Sequence, residues 1–368
     1  MDFDFNEDQT AVRDLAAQIF AGHATVERIK HIEATGDGID RDLWTALAQA
    51  NLLGIALPEQ PGGSGLGLIS LCLVLQEQGR RLAPVPLLPT IALGALPLAE
   101  FGAPALQSQW LPRIVNGDAI VTAALDEADS IDPTAPRVTA TAEGVLNGTK
   151  ISVPAGHIAD RVLVPASSPD GVTVFVVDPA AAGVSLEVVD TTDHQRAAHL
   201  TFHDTPTEAT LGAAGDGAAV VGWMLDRALV GLAAVQLGVA EEAIRLAAEY
   251  TSNRLQFGKP LSTFQGVSLR AADAYIDASA MNVTLWQAAW RLDEGLDASK
   301  EVAIAKWWAA DGGERVVHAT QHLHGGMGAD VDYPVHRYFL WGKQIADSLG
   351  GASRQAARVG AQIAEAYR

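Results

Sequence analysis

Two short segments carry residue types that could meet an anionic ligand. In the first, Arg254, Gln256, Phe257 and Gln265 fall within the run Asn253-Arg254-Leu255-Gln256-Phe257-Gly258-Lys259-Pro260-Leu261-Ser262-Thr263-Phe264-Gln265. In the second, His322 is followed by Gly325, Gly326 and Gly328. A guanidinium forms paired charge-assisted hydrogen bonds to a diphosphate, and glycine lets backbone N–H groups approach phosphate or ribose with no side chain in the way. Plainer roles compete. Arg254 suits the C-terminal end of a helix dipole, Ser262 with Gln265 spells a capping box, and Phe257 could fill a core gap. His318 and His322 stand one helical turn apart with His324, Asp330 and Asp332 behind them, which raises a metal, but the set closes no recognised ligand motif.

Both segments join helical stretches. Helical periodicity runs from about Ala218 to Ser252 and again from Thr263 to Leu292, lengths that pack as a bundle. The first third also reads as helical. Asn6 and Gln9 form a capping box ahead of Val12, Leu15, Ala16, Ile19 and Phe20, and further helices are expected over 42–50, 68–79 and 106–116. Pro58 to Gly65 separates two of these. From about Ile120 the period changes to that of short strands. Residues 138–142 and 149–153 predict a hairpin turning at Asn147-Gly148, and further strands are expected over 161–164, 172–177, 184–189 and 199–202. The order is therefore helical, then a small antiparallel β module, then a helical bundle, with segments 1–119, 120–212 and 213–368.

Composition narrows the function. The 368 residues are 48% hydrophobic and 19% charged, a globular balance of more than one module. A formal charge of −19 with no basic cluster argues against nucleic acid. An anionic ligand such as a CoA ester would rely on local arginines and helix N-termini. Cys72 is the single cysteine, which excludes an intrachain disulfide, and the acidic start lacks signal-peptide order; both lead us to expect a cytoplasmic protein. The apolar run 228–240 is short for a membrane span and reads as a buried core helix.

Arg254, Phe257, Gly258, Pro260 and Gln265 match the Arg-x-x-Phe-Gly-x-Pro then Phe-Gln pattern of the acyl-CoA dehydrogenase family, which this corner resembles. Leu323-His324-Gly325-Gly326-Met327-Gly328, then Asp332-Tyr333-Pro334 and Arg337, resembles the family's second signature. The resemblance implies the family's fold, mainly α with a β middle domain. Its parts would be an N-terminal helical domain, a small β-barrel-like domain and a C-terminal four-helix bundle. It also implies FAD as cofactor, an acyl-CoA substrate and, through the family, electron-transfer flavoprotein as a partner. In the family these two elements reach a neighbour's FAD, so Arg254, Gln256, Phe257, Gln265, His322, Gly325 and Gly326 are the expected cofactor contacts. His322 stands where the family usually has Gln, with Gln321 one place earlier.

Acyl-CoA dehydrogenation removes an α-proton while a β-hydride passes to the flavin, so it needs a carboxylate base. Of the family's two base positions, one is Gly350 here, in Leu349-Gly350-Gly351-Ala352-Ser353, and the other is Ala228, with Leu229 in place of a neighbouring arginine. The family's flavin loop is represented by residues 125–132, where Asp126, Glu127, Asp129 and Asp132 would disfavour a diphosphate. Ser152-Val153 replace a Trp-Ile pair. These departures imply a non-catalytic subunit that completes the FAD site of a catalytic acyl-CoA dehydrogenase partner, in an α2β2 assembly resembling those of bacterial steroid degradation. The alternatives are a self-sufficient dehydrogenase using Asp226, Glu241 or Asp347, and a flavin-free acyl-CoA-binding scaffold.

Overall fold

Asn6 opens the first helix by a purely local device. Its side chain accepts from the Gln9 N–H at 2.8 Å while Gln9 returns a bond to the Asn6 N–H at 3.0 Å, so two orphan donors are satisfied reciprocally. The computed structural model describes residues 4–60 and 62–366. After α1 (Glu7–His23) come α2 (Val26–Ala34), α3 (Arg41–Gln49), α4 (Gly67–Arg81), a π-helical turn (Pro89–Ala95), α5 (Leu96–Phe101) and α6 (Pro104–Val115). The strands follow: β1 (Val121–Ala123), β2 (Thr139–Ala140), β3 (Val145–Pro154), β4 (Arg161–Ser168), β5 (Gly171–Val177), β6 (Val184–Asp190), β7 (Arg196–Pro206) and β8 (Ala209–Leu211). Then come α7 (Gly217–Asn253), the short pair β9 (Leu255–Gln256) and β10 (Lys259–Pro260), α8 (Gln265–Asp293), α9 (Ser299–Trp307), α10 (Gly313–Leu323), α11 (Val335–Asp347) and α12 (Ala352–Ala366).

These elements form two units, one made of residues 1–30, 72–83 and 229–368, the other of 31–71 and 84–228. The second unit holds the sheet, ordered β6-β7-β3-β2-β4-β5-β8 with β1 beside β4. Among the described residues it is open and does not close into a barrel, because its terminal strands β6 and β8 do not pair. Leu146, Val153, Val164, Phe175, Leu200 and Phe202 form its apolar core. The hairpin turns elsewhere than expected. Strand β3 runs straight through Asn147-Gly148, where the register with β7 shifts, and the reversal lies at Thr141–Gly144. Gly148 therefore serves a bulge at φ +132° instead of a turn, and Asn147 is held by Asp204 through two bonds of 3.0 Å.

The first unit is helical and is built on α4 and α7. A Cβ on Gly79 would lie 2.0 Å from the Val235 carbonyl, and one on Gly238 would lie 1.9 Å from that of Gln76. Only glycine permits this approach of one backbone to another. The contact is pinned where Glu241 accepts from Gln76 Nε2 at 2.8 Å and from the Arg80 guanidinium at 2.6 Å. Helix α7 is long and apolar enough to cross a membrane, yet most of that apolar stretch is buried inside the protein. Leu229, Val230, Leu237 and Val239 are wholly buried, at about 1.5–3 kcal/mol each. Helices α9 and α10 run on through a π-turn at Trp308–Gly312, and the rod they form packs against α8, α11 and α12.

At the end of α11, Lys306 is fully buried and donates to the Ile345 and Ala346 carbonyls at 2.8 and 3.0 Å, satisfying acceptors that the helix leaves open. Burial brings its pKa down to about 7, against the pull of Asp347. An unfolded lysine keeps its proton to about pH 10.4. Between these values the folded state binds fewer protons, so Lys306 makes stability rise with pH from about 7 upward. Denaturant titrations at pH 7 and pH 9 should give a larger gain for the native chain than for Lys306→Met. Equal gains would contradict this role.

Candidate functional site

The expected corner is a tight hairpin that projects from the end of α7. The Arg254 N–H still bonds to the Tyr250 carbonyl at 2.8 Å, after which Gln256 pairs with Lys259 and Leu255 with Pro260. The two-residue tip is Phe257-Gly258, with φ values of +53° and +79°, the backbone of a type I′ turn. A bond of 2.9 Å from the Leu261 N–H to the Arg254 carbonyl closes its base. Phe257 is 92% exposed, so it fills no core gap; its ring meets Phe264 edge-on at 6.1 Å. Ser262 and Gln265 form no capping box, because a 3₁₀ turn over Leu261–Thr263 makes Phe264 the N-cap and puts Gln265 at the first helical position. Arg254, Gln256 and Gln265 are all exposed, and the Arg254 side chain makes no hydrogen bond or ion pair among the described residues.

The second segment follows α10 as a 3₁₀ turn over Gly325–Ala329. Gly325, at φ +58°, and Gly326 are exposed, and a Cβ on either would meet nothing within 4 Å, so their backbones are open to an approaching ligand. Gly328 is different, since a Cβ there would lie 2.3 Å from the Gln321 carbonyl. Gln321 turns inward and donates to the Gly328 carbonyl at 3.0 Å, leaving His322 as the exposed side chain of the pair. The nearby histidines and aspartates diverge. His318 lies 3.6 Å from Glu314, His324 is buried on the Thr320 carbonyl, and Asp332 binds Lys30 at 2.9 Å. Among the described residues no three such side chains are placed to share a metal.

Neither expected base position carries a carboxylate. Ala228 is fully buried on α7. Gly350 sits at φ +96°, and a Cβ there would lie 2.5 Å from Arg354 Cδ, so this backbone is shaped for glycine. Of the substitute bases, Glu241 is committed to Gln76 and Arg80. Asp226 is half-buried and has interactions of its own, and Asp347 lies exposed at the end of α11.

The acidic loop at 125–132 does not present a uniform negative face. Glu127 is buried and accepts from Lys150 Nζ at 2.6 Å, from the Arg137 N–H at 2.6 Å and from the Val138 N–H at 3.1 Å. Burial opposes its charge, but Lys150 and the Arg137 N–H outweigh it and hold the carboxyl below its usual range. Glu127 thus contributes a neutralised clamp, which sequence reading missed because Lys150 lies far along the chain. Ser152 is exposed at φ +50° and its N–H bonds to His199 Nδ1 at 3.0 Å, whereas Val153 belongs to the sheet core.

Family models of the acyl-CoA dehydrogenase N-terminal and C-terminal domains match residues 6–118 and 215–362. The chain belongs to the acyl-CoA dehydrogenase family. It is 39% identical over 374 residues to the acyl-CoA dehydrogenase FadE27 of Mycobacterium tuberculosis, covering 99% of each chain. A solved structure described as a variant of the Tcur3481-Tcur3483 steroid acyl-CoA dehydrogenase aligns at TM-score 0.93 and 48% identity over 98% of this chain and 99% of that one. The ChsE4-ChsE5 complex from Mycobacterium tuberculosis aligns at TM-score 0.91 and 38% identity over 99% of both. Membership makes the protein an oxidoreductase of acyl-CoA chemistry with FAD as its cofactor. The residues fit that group in part. Arg254 is an uncommitted cation and Gly325-Gly326 an open backbone, whereas the Arg137 and Val138 N–H groups of the β unit are already spent on Glu127.

A side chain forced into left-handed backbone is strained by about 1–3 kcal/mol. Gly350→Glu should therefore lower the melting temperature by several degrees and give the isolated chain no acyl-CoA oxidation. Turnover by that variant alone would show that the position accepts a base.

Proposed function

We propose that this chain is the non-catalytic subunit of a heteromeric acyl-CoA dehydrogenase, in an α2β2 assembly, and that it completes the FAD site of a catalytic partner. The observation that carries this reading is the outward corner at 254–259, where, at the end of a 37-residue helix, Arg254 makes no hydrogen bond or ion pair among the described residues and the Phe257 ring stays 92% exposed beside Phe264. FAD supplies hydride acceptance when bound. In this reading Arg254 answers the diphosphate charge, the Gly325 and Gly326 N–H groups approach phosphate or ribose, and Gln256, Phe257, Gln265 and His322 line the remaining contact. The carboxylate that takes the α-proton belongs to the partner, consistent with Gly350 and Ala228 here.

A second feature supports a partner. Leu269, Ile276, Val283 and Trp290 recur at every seventh position of α8 and are all exposed, which gives an apolar stripe along one helix face. We assign it to the subunit interface. The described identities of the similar structures, a steroid acyl-CoA dehydrogenase and a two-protein complex, favour a steroid-derived acyl-CoA as substrate. Electron-transfer flavoprotein is the proposed acceptor of electrons, and the cytoplasm the proposed location.

The purified chain alone should be colourless, and native mass spectrometry with a flavin count should find two FAD per heterotetramer. An isolated chain that is yellow and oxidises an acyl-CoA would sink the proposal. Arg254→Ala should lower FAD occupancy of the assembled complex several-fold while leaving its subunit stoichiometry unchanged. Val283→Asp should abolish assembly yet leave the circular dichroism of the lone chain helical; full assembly of that variant would remove the stripe from the interface.

A further inference from the structure

His324 immediately precedes the open Gly325-Gly326 turn, but it points the other way. Its ring is buried, with its centroid 4.7 Å from that of Tyr250 and 5.3 Å from that of Tyr333. Tyr250 and Tyr333 themselves meet edge-on at 6.3 Å, so the three rings form one cluster. The Nδ1 atom lies 2.7 Å from the Thr320 carbonyl, which can only accept, so Nδ1 carries a proton. Burial also pushes the imidazole pKa down. The cluster ties together chain ends that matter. Tyr250 is the last-turn residue of α7 whose carbonyl receives the Arg254 N–H, and His324 caps the end of α10. Tyr333 is fixed from its far side, where its carbonyl meets His336 Nδ1 at 2.7 Å and neighbouring Asp332 pairs with Lys30.

We propose that His324 is a positioning residue: clasped between Tyr250 and Tyr333, it holds the Gly325-Gly326 turn in fixed relation to the end of α7, so that the turn and Arg254 address a single FAD. This rests on the reading that both elements contact FAD. The physical need is clear from the turn itself. Gly325 and Gly326 have no neighbour that a Cβ would touch, and glycine is the residue type with the most backbone freedom to lose on ordering. Freezing them only on binding would weaken affinity, whereas anchoring them beforehand removes that loss. On the other side of the turn, Gly328 and Gln321 supply the matching anchor.

The test uses the assembled complex with its catalytic subunit, stripped of FAD and titrated with FAD by flavin fluorescence. His324→Ala should raise the FAD Kd roughly tenfold with assembly unchanged. His324→Phe keeps a ring between the two tyrosines and should recover to within about threefold of the native value. A purely structural histidine would lower the melting temperature in both variants and leave the FAD Kd alone, and that result overturns the proposal, as does a loss in His324→Phe equal to that in His324→Ala. If His324→Ala fails to assemble, Tyr333→Leu replaces it and should weaken FAD binding similarly; an unchanged Kd there is also fatal. Arg254→Ala run in parallel separates the two ideas. Weakening in Arg254→Ala without weakening in the clasp variants rejects the clasp alone, whereas no effect in either rejects the donated FAD site as well.

Discussion

Backbone meets backbone where Gly79 and Gly238 bring α4 onto α7, and the rest of the helical unit takes its register from that contact. A methyl group at either glycine would collide with a carbonyl oxygen, so the two helices cannot slide or rotate without losing the fit. Glu241, gripped by Gln76 and Arg80, fixes the phase of α7 three residues beyond the crossing. With that phase set, the direction in which α7 ends is set too. The hairpin carrying Arg254 inherits its projection from a contact about four turns away along the same rod.

Electrostatics sharpen the role of that hairpin. In a chain of net charge −19, most cations near the helical core are already occupied. Arg80 binds Glu77 and Glu241, Arg245 binds Glu242 and Glu249, and Arg315 binds Asp277. Arg254 keeps its charge uncommitted at an exposed turn. An anion approaching this acidic protein therefore finds local cations such as Arg254, and no broad basic field, which suits a ligand mostly enclosed by another subunit.

The local devices were legible in the sequence. The Asn6 and Gln9 capping box, the break at Pro58 to Gly65, the boundaries of α7 to within one residue and the strands of the β unit other than β1 and β8 follow from neighbours in the chain. Errors arose where distant partners decided. Asn147-Gly148 has the composition of a turn, but pairing with β7 on both sides draws it into a continuous strand, and the reversal moves to Thr141–Gly144. Ser262 and Gln265 have capping-box spacing, but the hairpin base at Arg254 and Leu261 forces a 3₁₀ turn between them. Glu127 reads as one acid among several, and only Lys150, folded in from β3, makes it a buried clamp.

The sequence by itself determined the family, the order of helical and β segments, and the residue types at the two signatures and at the two base positions, because these are properties of short range or of composition. The tertiary structure decided which of those residues remain available. Glu241 was removed from the candidate bases by Gln76 and Arg80, Gln321 was turned inward to Gly328, and His324 was drawn between Tyr250 and Tyr333, while Arg254, His322 and the glycine turn were left facing outward. The physical reason is common to all. A polar side chain can bind a ligand only if folding has not already satisfied it, and that is settled by contacts between residues far apart in the chain.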